Sequence, residues 1–350
     1  MGYYSAQHRK EIASAKLQPA AATLRRPKEA TATIGYIIRR FFQAILVLLG
    51  TMLIVFVLFR LEGPEALARA ILNTPKASQP QLQAIIKEYG FNLPPWDQLW
   101  RQIVNYAQLN FGRSPATNQS VLAEIKTALP RSLLLVGMSL VFAILVAIPL
   151  GVFQTVRRNK PSDYALTALS FIFYAMPAFL LGTLILLIFE DHWHIFTPIS
   201  ESESVGQIAG DWRQITPVVL TLAALTIAAF SRYMRSSMMD ALTEDYVRTA
   251  KAKGAGQGRV LFRHAFRNAL IPIITLVGLS LPAVAGGAVI TEVVFNYPGM
   301  GNLTYNAAIS SQVQVVVGTT VVFTLLTVTG SLLADILYAV ADPRIRYAHR

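Results

Sequence analysis

Six long apolar runs constrain the fold of this chain more than any other feature of its sequence. Each is close to the roughly 20 residues that a helix needs to cross the hydrocarbon core of a bilayer, and none contains Asp, Glu, Lys, Arg or His. Hydrophobic residues make up 53% of the chain and charged residues only 14%, against roughly 25% charged residues in soluble domains. We therefore predict an all-α integral membrane protein with six transmembrane helices, at residues 41–59, 132–156, 164–189, 214–231, 269–291 and 313–334.

The positions of Lys and Arg predict which ends of these helices face the cytoplasm. If the amino terminus is inside, the inner segments 1–40, 157–160, 232–267 and 344–350 hold 8, 3, 8 and 3 of these residues, and the outer segments together hold 9. Cations concentrate on the cytoplasmic side of membrane proteins, so both termini are expected in the cytoplasm. The net charge of +12 is then explained by topology, and no nucleic acid partner is expected.

The long interval after the first run predicts two or three short amphipathic helices. One of them carries a stripe that suits a membrane interface, formed by Trp96, Leu99, Trp100, Ile103 and Tyr106. We expect these helices to cover the outer ends of the spans, with direct substrate contact as the alternative. The predicted domains are a basic, disordered cytoplasmic tail, a first transmembrane helix, an outer helical segment, a five-helix core with a cytoplasmic loop at 232–268, and a second cytoplasmic tail; their bounds are 1–36, 37–60, 61–131, 132–341 and 342–350.

Residues 232–268 contain a predicted helix-turn-helix elbow. The stretches 245–253 and 259–268 each predict a short helix, and the glycines of Gly254-Ala-Gly-Gln-Gly258 allow a sharp turn between them. On the first arm, small residues at helical spacing predict a face that another protein's backbone can approach closely, formed by Val247, Ala250 and Gly254. On the second arm, cations recur every four residues and predict a positive ridge, formed by Arg259, Arg263 and Arg267.

The elbow resembles the cytoplasmic loop of binding-protein-dependent ABC importer permeases, whose general pattern is Glu-Ala-Ala, three residues, Gly. Arg248, Thr249, Ala250 and Gly254 stand at these positions, so the acid and one alanine are missing. The departure is similar to the dipeptide, oligopeptide and nickel branch of the family, whose pattern the chain matches at 245–254, Arg263-His264 and 268–272. Two further segments resemble this branch, the turn Tyr297-Pro298-Gly299-Met-Gly301 and the closing Asp-Pro-Arg at 342–344.

This resemblance implies the type I ABC importer permease fold over residues 37–347, in a bacterial or archaeal plasma (inner) membrane. It implies a second related permease, two ABC ATPase subunits and an extracytoplasmic solute-binding protein as partners, besides membrane lipid. It also implies that the elbow docks on an ATPase subunit, through Asp245, Tyr246, Val247, Arg248, Thr249, Ala250, Lys251, Ala252, Lys253, Gly254, Arg259, Arg263, His264, Arg267 and Asn268. Peptides are the expected substrate, with nickel or sugars as alternatives within the family.

The sequence does not predict an enzyme. It contains no Gly-x-x-x-x-Gly-Lys-Ser/Thr phosphate loop, no Gly-x-Ser-x-Gly motif and no His-Glu-x-x-His motif. The absence of cysteine excludes disulfides and thiol catalysis. We expect no cofactor on this chain, and ATP and Mg²⁺ on the partner ATPases. Glu190-Asp191-His192-Trp193-His194 has the chemistry of a nickel or zinc site, but an interface anchor is the expected role and no metal is predicted.

Two other functional classes stay open at this point. Spans without charge argue against a proton-driven carrier, while an ion-coupled secondary carrier that uses backbone carbonyls remains an alternative. The other is a non-transporting scaffold that recruits a partner through the positive ridge. Within the spans, prolines and glycines are candidate kinks or close helix contacts, at Pro177, Pro272, Gly278, Pro282, Gly286 and Gly287.

Overall fold

A computed structural model describes residues 27–72, 77–114, 116–200, 204–280 and 288–341. These residues are almost entirely helical, and an isolated bridge between Arg113 and Ser120 is the β-pairing among them. The helices are α1 (Pro27–Glu62), α2 (Pro64–Leu72), α3 (Gln79–Tyr89), α4 (Pro95–Ala107), α5 (Val121–Val156), α6 (Pro161–Ala175), α7 (Ala178–His192), α8 (Val205–Gly210), α9 (Trp212–Thr243), α10 (Asp245–Ala252), α11 (Gln257–Ser280), α12 (Val289–Val294), α13 (Met300–Ile309) and α14 (Val313–Ala341).

Among the described residues, five helices are long and apolar enough to cross a membrane, and there are six if the bent pair α6 and α7 counts as one span. The all-helical membrane fold predicted from the apolar runs is thus confirmed. The bounds differ, because polar residues continue the helices beyond the apolar runs. For example, α5 begins at Val121 rather than at 132, and α9 continues to Thr243 rather than ending at 231.

The chain divides into two compact units, residues 1–49 and 50–350. The described part of the first unit is the beginning of α1, which is helical from Pro27 rather than from residue 37. Residues 1–26, which make up most of the predicted amino-terminal tail, lie outside the described residues, as does the predicted tail 342–350. The second unit contains all the structure discussed below.

The predicted span at 164–189 is sharply bent. The chain forms α6 and α7, which meet at an angle of 104°, and the candidate kink Pro177 lies at the break. Pro177 causes the break, because proline has no N–H to donate and disfavours helical backbone at the residue before it. Met176 is accordingly extended, with φ −78° and ψ 127°.

Of the predicted span at 269–291, the structure describes α11 as far as Ser280 and the short helix α12 from Val289. Pro282, Gly286 and Gly287 lie outside the described residues. Pro272 lies inside α11, and Gly278 provides the close contact that its size predicted, since a Cβ there would lie 3.2 Å from the Cα of Ala334 in α14.

The interval 61–131 contains three short helices, α2, α3 and α4, as the sequence predicted. Their small core consists of Ala68, Leu82 and Ile86. The main packing of the second unit is that of α5 against α9. A Cβ at Gly151 of α5 would lie 2.7 Å from the carbonyl oxygen of Ser231 in α9, so the two backbones approach as closely as they do because this residue is glycine.

Candidate coupling elbow and outer turn

The elbow predicted from the sequence is present at the junction of α9, α10 and α11. Glu244 is extended and separates α10 from α9. The turn after α10 depends on Gly254, whose φ of +79° is in the left-handed region that favours glycine. The second arm differs from the prediction, because it is not a separate short helix over 259–268. It is the first part of the long helix α11, which begins at Gln257 and includes a π-helical stretch, Val260–Ala265.

The inner side of the elbow is a small hydrophobic core within this chain. Val247 and Ala250 of α10 are 0% and 8% exposed, and they pack against Val260 of α11, which is 2% exposed. The prediction that Val247 and Ala250 form an open face for another protein is therefore wrong. A short amphipathic helix must bury its apolar stripe, and α11 supplies the covering side chain. The two arms consequently form one packed piece.

The side of the elbow that faces away from this small core is cationic and exposed. The exposed residues are Asp245, Arg248, Thr249, Lys251, Ala252, Lys253, Gly254, Arg259, Arg263, Arg267 and Asn268, and Tyr246 and His264 are partly buried. Arg248 approaches Asp245 at 3.5 Å, but both side chains are mostly exposed, so this pair contributes little. This side of the elbow therefore has a net positive charge, and the backbone at Gly254 is exposed to an approaching partner.

Phe262 is the residue of this surface that the sequence analysis missed. Its side chain is 63% exposed, and in the sequence it stands between Arg259 and Arg263. A large aromatic residue in a polar, basic loop is a signal that inspection of the charges alone overlooked. Together, the cations and Phe262 form a surface suited to a partner with an acidic rim around an apolar pocket.

A buried ion pair fixes the helices next to the elbow. Arg235 of α9 donates two hydrogen bonds to the carboxylate of Asp163 in α6, at 3.0 and 2.8 Å, and the Asn159 N–H donates a third at 3.1 Å. The Asp163 side chain is only 2% exposed. The Thr155 hydroxyl of α5 donates to the Arg235 carbonyl at 3.2 Å. Hydrogen bonds therefore connect helices α5, α6 and α9 close to the end of α9 that leads into the elbow.

The turn at residues 297–301, called the outer turn because the sequence predicts it on the outer side of the membrane, is built around a carboxylate. Glu292 is 1% exposed, and its side chain accepts hydrogen bonds from Ser132 Oγ at 2.6 Å, from the Gly301 N–H at 2.6 Å and from the Asn302 N–H at 3.1 Å. The last two donors belong to the first turn of α13, where backbone N–H groups have no partner within the helix. Glu292 therefore caps α13 and connects it to α5.

Glycine is required in this turn because the backbone passes close to the carboxylate. A Cβ at Gly299 would lie 2.5 Å from Glu292 Oε2, and a Cβ at Gly301 would lie 2.5 Å from the Cα of Val289. Tyr297 is fully buried and its hydroxyl donates to the Arg131 carbonyl at 2.7 Å, while Arg131 donates to the Pro298 carbonyl at 3.2 Å. The pattern Tyr-Pro-Gly-x-Gly thus describes a turn that is hydrogen-bonded to α5 at Arg131.

Glu292 itself was not selected as a site residue from the sequence. Burial raises the pKa of its carboxyl group, and the hydrogen bonds from Ser132, Asn302 and Gly301 act in the opposite direction. It is the single charged residue between Arg267 and Asp335. An isolated acid in a long apolar stretch was the signal that would have found it.

The segment 190–194 does not assemble a metal site. Its first part continues the π-helical stretch Leu186–His192, and the His194 ring forms a hydrogen bond with the Glu190 carbonyl at 3.0 Å. In the ranges that the structure describes, no group of three His, Asp or Glu side chains is close enough to hold a metal ion. The nickel or zinc alternative gains no support from this geometry.

The sequence of this chain is similar to those of known membrane transport proteins. The family described as "binding-protein-dependent transport system inner membrane component" matches residues 147–347, which include the elbow and the outer turn. The oligopeptide transport system permease protein AppB of Bacillus subtilis (strain 168) is 37% identical over 317 residues, covering 89% of this chain and 99% of AppB. The glutathione transport system permease protein GsiC of Escherichia coli (strain K12) is 32% identical over 314 residues, covering 90% and 99%. A probable peptide ABC transporter permease protein of Sinorhizobium fredii is 34% identical over 316 residues, covering 89% and 99%.

Proposed function

We propose that this chain, which belongs to the family of binding-protein-dependent transport system inner membrane components, is the permease subunit of an ATP-driven ABC importer of di- or oligopeptides. Two of the relatives described above are named for peptide transport and the third for glutathione, which is itself a tripeptide. These names favour a peptide over nickel or a sugar. Since its relatives are bacterial, we place the chain in a bacterial inner membrane, with both termini and the elbow in the cytoplasm as the positive charges indicate.

The partners follow from this assignment. A solute-binding protein outside the membrane delivers the peptide, a second permease completes the pathway, and two ABC ATPase subunits bind ATP and Mg²⁺. The permease chain contributes no nucleotide site of its own. It receives the energy of ATP hydrolysis through the cytoplasmic elbow.

The observation that carries this mechanism is the packing of the elbow. Val260 closes on Val247 and Ala250, so α10 and the start of α11 move as one piece. Helix α11 continues without interruption from the elbow towards Ser280. A displacement imposed on α10 by an ATPase subunit is therefore transmitted directly to a transmembrane helix, as rigid-body switching requires.

The surface through which the ATPase acts is the exposed, cationic side of the elbow together with the exposed side chain of Phe262. The residues that we propose for docking are Arg248, Lys251, Lys253, Arg259, Phe262, Arg263 and Arg267. Val247, Ala250 and Val260 have a different role, which is to keep the two arms together.

The outer turn has the complementary role of a fixed point. Hydrogen bonds hold α12 and α13 to α5 at Arg131 and Ser132, through Tyr297 and Glu292, and α5 continues to the region of the Asp163–Arg235 pair. Movement at the elbow is therefore resisted at the outer turn, and the helices between these two ends must tilt. Tilting of this kind opens the pathway alternately to the two sides.

Peptide uptake by the complete importer in proteoliposomes tests the proposal. Phe262→Ala and Arg263→Glu should each reduce the amount of ATPase that copurifies with the permease, and uptake should fall by at least about tenfold. The control variants Leu58→Ala and Lys87→Glu change an exposed apolar and an exposed cationic side chain outside the elbow, and they should transport normally. Uptake that persists without ATP but collapses with an ion gradient would instead identify a secondary carrier.

A further inference from the structure

A cleft separate from the elbow and the outer turn lies between α1, the short helices α3 and α4, and α14. Its volume is about 310 Å³, at the lower end of the range of roughly 300–1,000 Å³ that small-ligand sites occupy. Its floor is apolar and is formed by side chains of two candidate membrane spans, among them Met52, Phe56, Phe59, Val317 and Val321. Its rim is polar and is formed by α3 and α4. The cleft therefore suits an amphipathic molecule.

The rim carries one charge of each sign. Glu88 near the end of α3 and Arg101 of α4 both line the cleft. Arg101 Nη1 would lie 3.5 Å from a Cβ at Gly90, so its guanidinium group lies over the turn that follows Glu88. In the part of the chain that the structure describes, neither side chain forms a hydrogen bond or an ion pair. A zwitterion would satisfy both of them.

A buried acceptor in the wall points to a hydrogen-bond donor. The side-chain carbonyl oxygen of Gln314, which lines the same cleft, is buried and has no hydrogen-bond partner among the described residues. Buried polar atoms in proteins are almost always bonded. A ligand with an N–H or O–H group would supply the missing donor.

Two tryptophans place the rim at the membrane surface. Trp96 and Trp100 of α4 are 79% and 67% exposed, and exposed tryptophan in a membrane protein marks the boundary between hydrocarbon and water. Arg101 is on the same helix as these tryptophans. The floor consists of residues of candidate spans, and the exposed tryptophans on the rim helix indicate a rim near the lipid headgroups, where a lipid can enter from the membrane.

We propose that this cleft binds one phospholipid with an ethanolamine headgroup. The phosphate lies at Arg101, whose guanidinium group suits bidentate phosphate binding. The ammonium group lies at Glu88 and donates to the Gln314 carbonyl, and an acyl chain follows Phe56 and Val317. A primary ammonium can donate these hydrogen bonds, whereas the quaternary ammonium of choline cannot, so the site distinguishes the two headgroups.

Native mass spectrometry of the complete importer tests this proposal, after delipidation and titration with phosphatidylethanolamine or phosphatidylcholine of identical acyl chains. The wild-type complex should retain one phosphatidylethanolamine at least about tenfold more strongly than phosphatidylcholine. Arg101→Glu and Val317→Trp should each weaken retention about tenfold, the first by removing the phosphate partner and the second by filling the floor. Gln314→Leu should reduce the preference for ethanolamine over choline.

Lys87→Glu reverses a neighbouring exposed charge that does not line the cleft, and it should bind the lipid as the wild type does. Copurification of the ATPase subunits confirms that each variant has assembled. Equal retention of the two lipids by the wild type, or unchanged retention in both Arg101→Glu and Val317→Trp, would overturn the proposal. Displacement of the lipid by a di- or tripeptide would also overturn it, by identifying the cleft as a peptide site.

Discussion

Among single residues, Glu292 has a structural role that is unusual for a charged side chain. A buried carboxylate is costly unless every lone pair has a donor, and here two N–H groups of α13 and the Ser132 hydroxyl supply them. The donors reach it because Gly299 and Gly301 allow the backbone to pass within contact distance. The acid and the two glycines are therefore mutually dependent, and the outer turn loses its shape if either is changed.

Gly301→Ala is predicted to destabilise the chain by about 1–3 kcal/mol, as overpacking does. The new methyl group would lie 2.5 Å from the Cα of Val289, which is backbone and cannot rotate away. The melting temperature of the detergent-solubilised complex measures the effect. Gly137→Ala in α5 is the matched control, because a Cβ there has nothing within 4 Å, and its melting temperature should not fall.

Glu292→Gln is predicted to destabilise the outer turn by about 1–3 kcal/mol, because an amide retains one acceptor for three donors and turns its own N–H₂ group towards them. The variant should unfold at a lower temperature and show faster proteolysis near residues 297–301. An unchanged melting temperature would mean that the carboxylate does not hold α13 to α5.

At the scale of helices, the arrangement of the helices depends on contacts that the apolar runs of the sequence do not reveal. Hydropathy located the spans and Pro177 was a candidate kink, but neither gives an angle, so the size of the 104° bend between α6 and α7 could not be predicted. Similarly, residue size suggested an open face at Val247 and Ala250, because the sequence alone could not show that Val260 returns to cover it. Local signals predicted the elements, and contacts between distant residues such as Ser132 and Glu292 could not be predicted from them.

Asp163→Asn is predicted to lower stability by about 2 kcal/mol, since it weakens hydrogen bonds between a buried carboxylate and the Arg235 guanidinium group. We expect a lower melting temperature together with ATP hydrolysis that is less well coupled to uptake, because α6 and α9 would no longer move together. Glu65→Gln removes the ion pair with Arg69, in which both side chains are about half exposed, and should change neither property. Similar losses in the two variants would contradict a special role for the Asp163–Arg235 pair.

For the whole molecule, the central claim is that an external ATPase moves the spans through the elbow. In the proposed mechanism the packed elbow is the end that moves, helix α11 transmits the movement, and the hydrogen-bonded outer turn is the end that stays fixed. The lipid cleft lies apart from this lever, so its occupancy and the coupling can be tested separately.

The most direct measurement is site-specific crosslinking in membranes that contain the complete importer. The chain has no natural cysteine, so a single cysteine can be placed at Ala252, an exposed residue of the elbow whose side chain is not needed for docking, with a second variant carrying it at Trp96 as the control. The account predicts that the Ala252→Cys variant crosslinks to the ATPase subunit, that ATP binding changes the yield, and that Trp96→Cys gives no such product. Labelling of the Ala252→Cys variant by a membrane-impermeant maleimide from the outside, or the absence of any crosslink to the ATPase in an actively transporting complex, would contradict it.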